Sequence, residues 1–183
     1  MSWNGLEDFL SRARAELTPI GALECFAEEG DLDFYEAVDP RAVRRAGVLM
    51  GLIPREQGAT LLLTERPTTM ASHPGQVAFP GGKVDPGDAD DVAAALREAE
   101  EEVGIDGATA QLIGCSAPYL TGSGFRITPV LAILPADFQP NPEPGEVAEV
   151  FETPLAFLMN AENHQQNEAL WEGKIRRLSL IHI

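Results

Sequence analysis

Apolar side chains at Leu6, Phe9, Leu10, Ala13 and Leu17 recur at the spacing of one helical face, which predicts a helix over residues 5–17. Between Glu24 and Asp39 the chain is acidic and aperiodic and predicts no regular element. Two apolar runs follow, Gly47 to Ile53 and Ala59 to Thr64, divided by Pro54-Arg55-Glu56-Gln57-Gly58. They predict two strands joined by a tight turn. Residues 67–91 are dense in Pro, Gly, Thr, Ser and Asp and predict a long loop, a feature usually tied to function. The helical period returns from Asp91 to Val103, where Val92, Leu96, Ala99 and Val103 fall within about 60° of one another on a wheel. Asp88, Asp90 and Asp91 stand at its start, where carboxylates satisfy free N–H groups, and Gly104 closes it. Ala110 to Leu120 and Ile127 to Leu134 predict strands around Thr121-Gly122-Ser123-Gly124. A Pro-rich loop over 135–145 comes next, and Val147, Val150 and Phe151 lead to a helix starting near Pro154. Strands interleaved with helices predict a layered α/β domain.

Length and charge narrow the picture. The 183 residues (19.7 kDa) suit one domain with a small appendage. Thirteen Lys and Arg against 29 Asp and Glu leave a net charge of −16. Such a chain repels nucleic acid and anionic membranes. An anionic substrate would need positive charge from elsewhere, and a divalent cation is the natural source. Two cysteines, Cys25 and Cys115, form neither a disulfide framework nor a zinc motif and read as reduced thiols. Trp3, Glu7 and Asp8 stand where a signal peptide would be basic and apolar, and no apolar run approaches the ~18 residues of a membrane span. The expected location is cytoplasmic, and a homodimer is compatible with the sequence.

The chemistry concentrates in Arg97-Glu98-Ala99-Glu100-Glu101-Glu102-Val103-Gly104-Ile105. On the wheel Glu98, Glu101 and Glu102 share a face, and Arg97 lies one turn before Glu101. Like charges so close destabilise a helix unless something neutralises them. A hard cation, Mg²⁺ or Mn²⁺, suits carboxylate oxygens and leaves positions for phosphate and water. Arg97 can fix the direction of Glu101. Just upstream, Phe79-Pro80-Gly81-Gly82-Lys83 lets a backbone approach a ligand closely. His73 has no nucleophile partner at a recognisable spacing, Asp85 to Asp91 lacks the glycine and terminal Glu of an EF-hand loop, and no Walker lysine follows a glycine loop.

Gly82 through Ile105 resembles the signature box of the Nudix hydrolases, G-x5-E-x7-R-E-U-x-E-E-x-G-U, at Arg97-Glu98, Glu101-Glu102, Gly104 and Ile105. Asp88 stands for the first Glu of the box, with one extra residue before Arg97, and Ala99 is small for its aliphatic position. The resemblance implies an α/β/α sandwich with a mixed sheet and a loop–helix–loop catalytic motif. It implies Glu98 and Glu102 as main metal ligands, Glu101 as a further ligand or water-orienting base, Arg97 orienting Glu101, and the Gly82 carbonyl completing the shell. A later loop carries Glu146 and Glu149, either of which is a candidate for the base in place of Glu101.

Leu62-Leu63-Thr64-Glu65-Arg66 and Gly75 through Phe79-Pro80-Gly81-Gly82 resemble a second signature, that of Nudix enzymes cleaving coenzyme A. Pro67 and Ala71 depart from it, Ala71 where a second Arg is expected. The resemblance implies a metal-dependent pyrophosphohydrolase that cuts coenzyme A, or an acyl form, into 3′,5′-ADP and 4′-phosphopantetheine. Arg66, Lys83 and Arg126 are candidates for phosphate contacts, and Phe125 for stacking on adenine or for the core. Hydrolysis of ADP-ribose, a dinucleotide or a nucleoside triphosphate stays open, as does a silent nucleotide-binding module. The expected organisation is residues 1–40 as an N-terminal helix and acidic segment, 41–177 as the catalytic domain, and 178–183 as an atypical apolar tail expected to be truncated or non-native.

Overall fold

A twelve-residue strand, β2 (Arg44–Arg55), organises the sheet. It runs parallel to β8 (Phe125–Ile133) from Arg44↔Phe125 to Leu52↔Ile133. At its far end it pairs antiparallel with β3 (Gly58–Glu65), with Arg55↔Gly58 closing the turn predicted there. Gly58 has φ 119°, a conformation that suits glycine. Pro54 lies beyond the last β2 residue that β8 pairs, so its missing N–H costs no bond on that side. The computed structural model describes residues 5–22, 29–30, 43–70, 73–121, 123–171 and 174–181. Trp3, Cys25, Ala71, Gly122 and most of the acidic stretch from Glu24 to Asp39 lie outside them.

The loop expected over 67–91 contains two short strands, β4 (Val77–Ala78) and β5 (Gly81–Lys83). Pairing of β2 with β3 stops at Leu52↔Leu61. Residues 77–83 fill the gap beyond, β4 on β3 (Thr64↔Ala78) and β5 on β2 (Gly47↔Gly82). Segments this short show no period of their own; their partners create them.

Helix α1 spans Leu6–Glu16 and α2 spans Asp91–Val103, as their apolar spacing predicts. Asp90 caps α2 by accepting the Ala93 N–H at 2.8 Å, and Gly104 ends it at φ 75°. The expected strand 110–120 divides into β6 (Gln111–Cys115) and β7 (Tyr119–Leu120). The segment before Pro154 forms β9 (Glu149–Pro154) on β3, and the helix there is one turn, α3 (Leu155–Leu158). A parallel pair joins β1 (Glu29–Gly30) to β7, and an antiparallel hairpin, β10 (His164–Trp171) with β11 (Lys174–Ile181), holds most of the apolar tail.

Alternation along β2 and β8 divides the core. Leu49, Ile53, Val130 and Ala132 pack with Val92, Ala95, Ala99 and Val103 of α2. Leu52 and Leu131 pack on the other face with Leu10 and Ala13 of α1 and Leu155 of α3. The result is a mixed sheet between helices, the α/β/α sandwich expected.

Candidate active site

Two glycines in register, Gly47 and Gly82, let α2 lie against the sheet at β5. A Cβ on Gly47 would overlap the Asp91 carbonyl, and one on Gly82 would overlap the Glu98 carboxyl group. Glu98 therefore rests on the bare backbone of Gly82. One turn later, Glu102 accepts the Gly81 N–H at 3.0 Å and is 6% exposed. Burial pushes Glu102 up to about 7, with the neighbouring Glu98 and Glu146 charges adding to the shift. Burial also raises Glu98, against the opposing pull of Arg97. Two carboxylates are thus pressed together in a half-dry place without a full complement of positive charge.

Arg97 ties the motif together. Its Nε and Nη2 donate to the two oxygens of Asp88 at 3.0 and 3.1 Å, and Nη2 also donates to the Lys83 carbonyl at 3.1 Å. Its Nη1 lies 2.9 Å from Glu98 and 3.2 Å from Glu101. Hydrogen bonding to Arg97 holds Asp88 below the usual carboxylate range, and the same pair raises Arg97. The shorter Asp88 spans the loop to the helix as a fork on a guanidinium. Glu101 leans on Arg97 at the surface, its side chain 57% exposed. Among the described residues no three His, Cys, Asp or Glu side chains converge into a ready-made cage.

Across the gap between β2 and β3, Arg66 continues from β3. Its buried Nε has no hydrogen-bond partner, one Nη2 sits 3.2 Å from the Met70 sulfur, and its charge favours the ionised form of Glu102. The loop before β9 closes another side through Glu143 N–H to the Glu102 carbonyl, 2.9 Å. Glu146 of that loop acts electrostatically on both Glu98 and Glu102. Glu149 instead stands opposite Glu65 in the β3–β9 ladder.

The NUDIX domain profile matches residues 43–173, which hold all of these groups. The chain belongs to the Nudix family. The protein named "Uncharacterized Nudix hydrolase NudL" from Enterobacter sp. (strain 638) is 51% identical over 137 residues, 75% of this chain and 71% of the relative. Its namesake in Photorhabdus laumondii subsp. laumondii is 41% identical over 135 residues, 74% of this chain and 72% of the relative. Among solved structures, the M. smegmatis Nudix hydrolase RenU aligns with TM-score 0.52 at 24% identity, over 61% of this chain and 70% of that one. A C. elegans Ap4A hydrolase binary complex aligns with TM-score 0.51 at 24% identity, over 60% and 80%. These neighbours share the fold. Nudix hydrolases act on phosphoric anhydrides and generally use divalent ions such as Mg²⁺ or Mn²⁺.

Within this Nudix domain the expected substrate-binding residues separate. Arg66 stays near the carboxylates. Arg126 instead points at buried Asp91, 3.3 Å away, which also accepts from Thr128 at 2.6 Å and Arg45 at 2.7 Å. Phe125 and Lys83 lie on the opposite face of the sheet: Phe125 carries the Arg44 guanidinium 3.9 Å above its ring, and Lys83 is exposed. Asp88, which the sequence reading puts in the place of the first Glu of the box, is held by Arg97, whereas Asp91, Arg44 and Arg45 have no site role in that reading. Cys115 is buried, which pushes its thiol up to about 11 and leaves it unreactive. No described helix is long and apolar enough to cross a membrane.

Proposed function

We propose that this Nudix hydrolase cleaves the diphosphate of coenzyme A or an acyl-coenzyme A, yielding 3′,5′-ADP and 4′-phosphopantetheine. One observation carries the site: Glu98 and Glu102 crowd onto Gly81 and Gly82 while the charge of an under-bonded Arg66 acts on Glu102. That donor set fits Mg²⁺ or Mn²⁺, which bind through one or two carboxylates plus substrate phosphates and water rather than through an all-protein cage. A bound ion would supply charge for the diphosphate and lower the pKa of a coordinated water. Glu98 and Glu102 would hold it, with Glu101, steered by Arg97, as a further ligand. Gly82 was expected to add its carbonyl. Its register with Gly47 instead turns its peptide groups toward β2, while the Gly81 N–H and the Lys83 carbonyl face α2. By strand alternation the main-chain oxygen on the carboxylate side is that of Gly81.

Arg66 receives a phosphate oxygen, since its buried Nε lacks an acceptor. Of the two loop carboxylates, Glu146 is our choice to hold and deprotonate the attacking water, a reading supported by the effect of its charge on both Glu98 and Glu102. The choice of coenzyme A rests on the run from Leu62 to Arg66 and from Gly75 to Gly82. Ala71, where that signature has Arg, favours a second reading, an ADP-ribose-type substrate. Metal-dependent turnover of coenzyme A and ADP-ribose, with products identified by mass spectrometry, decides between them. We expect coenzyme A to be the better substrate and Glu98→Gln to lose at least about 100-fold in kcat. Faster turnover of ADP-ribose would reverse the assignment of substrate.

A further inference from the structure

The sheet face turned away from α2 carries a second concentration of positive charge. The register of five strands aligns Lys83 (β5), Ala46 (β2), Ile127 (β8), Tyr119 (β7) and Glu29 (β1) in one row. Arg44 and Phe125, paired with each other, stand on the same face one step along. In a protein with 13 basic residues among 29 acidic ones, two cations thus sit diagonally across one strand pair. Neither has a carboxylate partner among the described residues. Arg44 stacks on the Phe125 ring and donates to the Ser123 carbonyl at 3.0 Å, so its guanidinium is held in place while most of its N–H groups stay free. Lys83 is exposed and directly follows Gly82. Arg45 and Arg126 alternate to the other face, where Asp91 engages both.

A pre-oriented guanidinium and an exposed ammonium, about 7–8 Å apart at the backbone as diagonal neighbours, suit a phosphate monoester dianion between their tips. Coenzyme A carries such a monoester on its ribose, separated from the diphosphate by the sugar; ADP-ribose carries none. We propose that Arg44 and Lys83, with Phe125 as the shelf that orients Arg44, form a subsite for the 3′-phosphate of the substrate's adenosine. The proposal rests on the coenzyme A reading. It makes Arg44 and Lys83 specificity residues that distinguish coenzyme A from its 3′-dephosphorylated form.

The test compares kcat/KM for coenzyme A and dephospho-coenzyme A in wild type, Arg44→Ala, Lys83→Ala and the double variant. Binding of 3′,5′-ADP and 5′-AMP is measured by calorimetry in parallel. A charge-assisted hydrogen bond of about 1.5–3 kcal/mol corresponds to a preference of roughly 10- to 100-fold. Wild type should therefore favour coenzyme A, and 3′,5′-ADP over 5′-AMP, by at least about tenfold. The double variant should bring both ratios close to one, and Arg44→Lys should restore part of them. Equal turnover of the two coenzymes by wild type, or a loss in the double variant that leaves the ratio intact, overturns the subsite while leaving the coenzyme A reading standing. Turnover of ADP-ribose with neither coenzyme hydrolysed overturns both.

Discussion

At the scale of single residues, the instructive group is Glu102. Its folded value of about 7 lies above the ordinary 4.5, so the native state holds a proton that the unfolded chain has released between those values. In metal-free protein, stability therefore falls as pH rises from 4.5 toward 7, and the full cost is present above 7. Glu102→Gln removes that cost while its amide oxygen can still accept the Gly81 N–H. The metal-free variant should thus be more stable than wild type at pH 8, by up to about 3 kcal/mol, and equal to it near pH 4. Thermal melts in chelator at the two pH values check this; an equal difference at both would remove Glu102 as the cause. Helical spacing showed that Glu98 and Glu102 share a face. It could not show that both would be half-dry, because burial comes from β5 and from the loop at Glu143 and Glu146. Arg126 illustrates a missed signal: it alternates with Thr128 and Val130, so its direction toward α2 was present in the strand period once β8 was extended back to Phe125.

At the scale of elements, α2 was legible to its ends because it carries its own stripe, cap and C-terminal glycine. Strands β4 and β5 were not, since two or three residues cannot display a period and their bonds belong to β2 and β3. The contact between α2 and β5 nevertheless decides the site, and it leaves no room at two positions. Gly47→Ala should push α2 off the sheet at Asp91 and cost about 3 kcal/mol, the upper end of the usual overpacking range, because the clash is with backbone. Gly82→Ala meets a side chain instead, Glu98, which can swing away; we expect a smaller loss of stability with loss of metal-dependent activity. Denaturant unfolding and activity measured on both variants separate the two effects, and an active Gly82→Ala enzyme would mean that the seat of Glu98 is unimportant. The loop before β9 adds a second comparison. Glu146→Gln should lower kcat by about 10²-fold or more and shift the pH–rate profile, whereas Glu149→Gln, whose parent residue lies in the ladder beside Glu65, should change little. A reversed order would move the base to β9.

At the scale of the whole molecule, the charge of −16 poses the question of whether a divalent ion acts at one place or merely screens the surface. The two predict different behaviour. A site made by Glu98 and Glu102 binds an ion in the native state alone, so Mn²⁺ at about 100 times its dissociation constant should stabilise by about 2.7 kcal/mol. In a chain of this length that is a rise in melting temperature of roughly 5–10 °C. General screening gives a smaller gain that KCl at matched ionic strength reproduces. Protons compete with the ion at Glu102, so the Mn²⁺-specific gain should shrink as pH falls from 8 to 6, through the value of about 7, while the KCl gain does not follow that curve. The double variant Glu98→Gln, Glu102→Gln should keep the response to KCl and lose the excess response to Mn²⁺. Melting curves for wild type and this variant, in Mn²⁺, KCl and chelator at pH 6, 7 and 8, make the comparison. An excess that survives in the variant would mean that the ion is held by the acidic surface at large, and the pair on Gly81 and Gly82 would lose its claim to be the metal site.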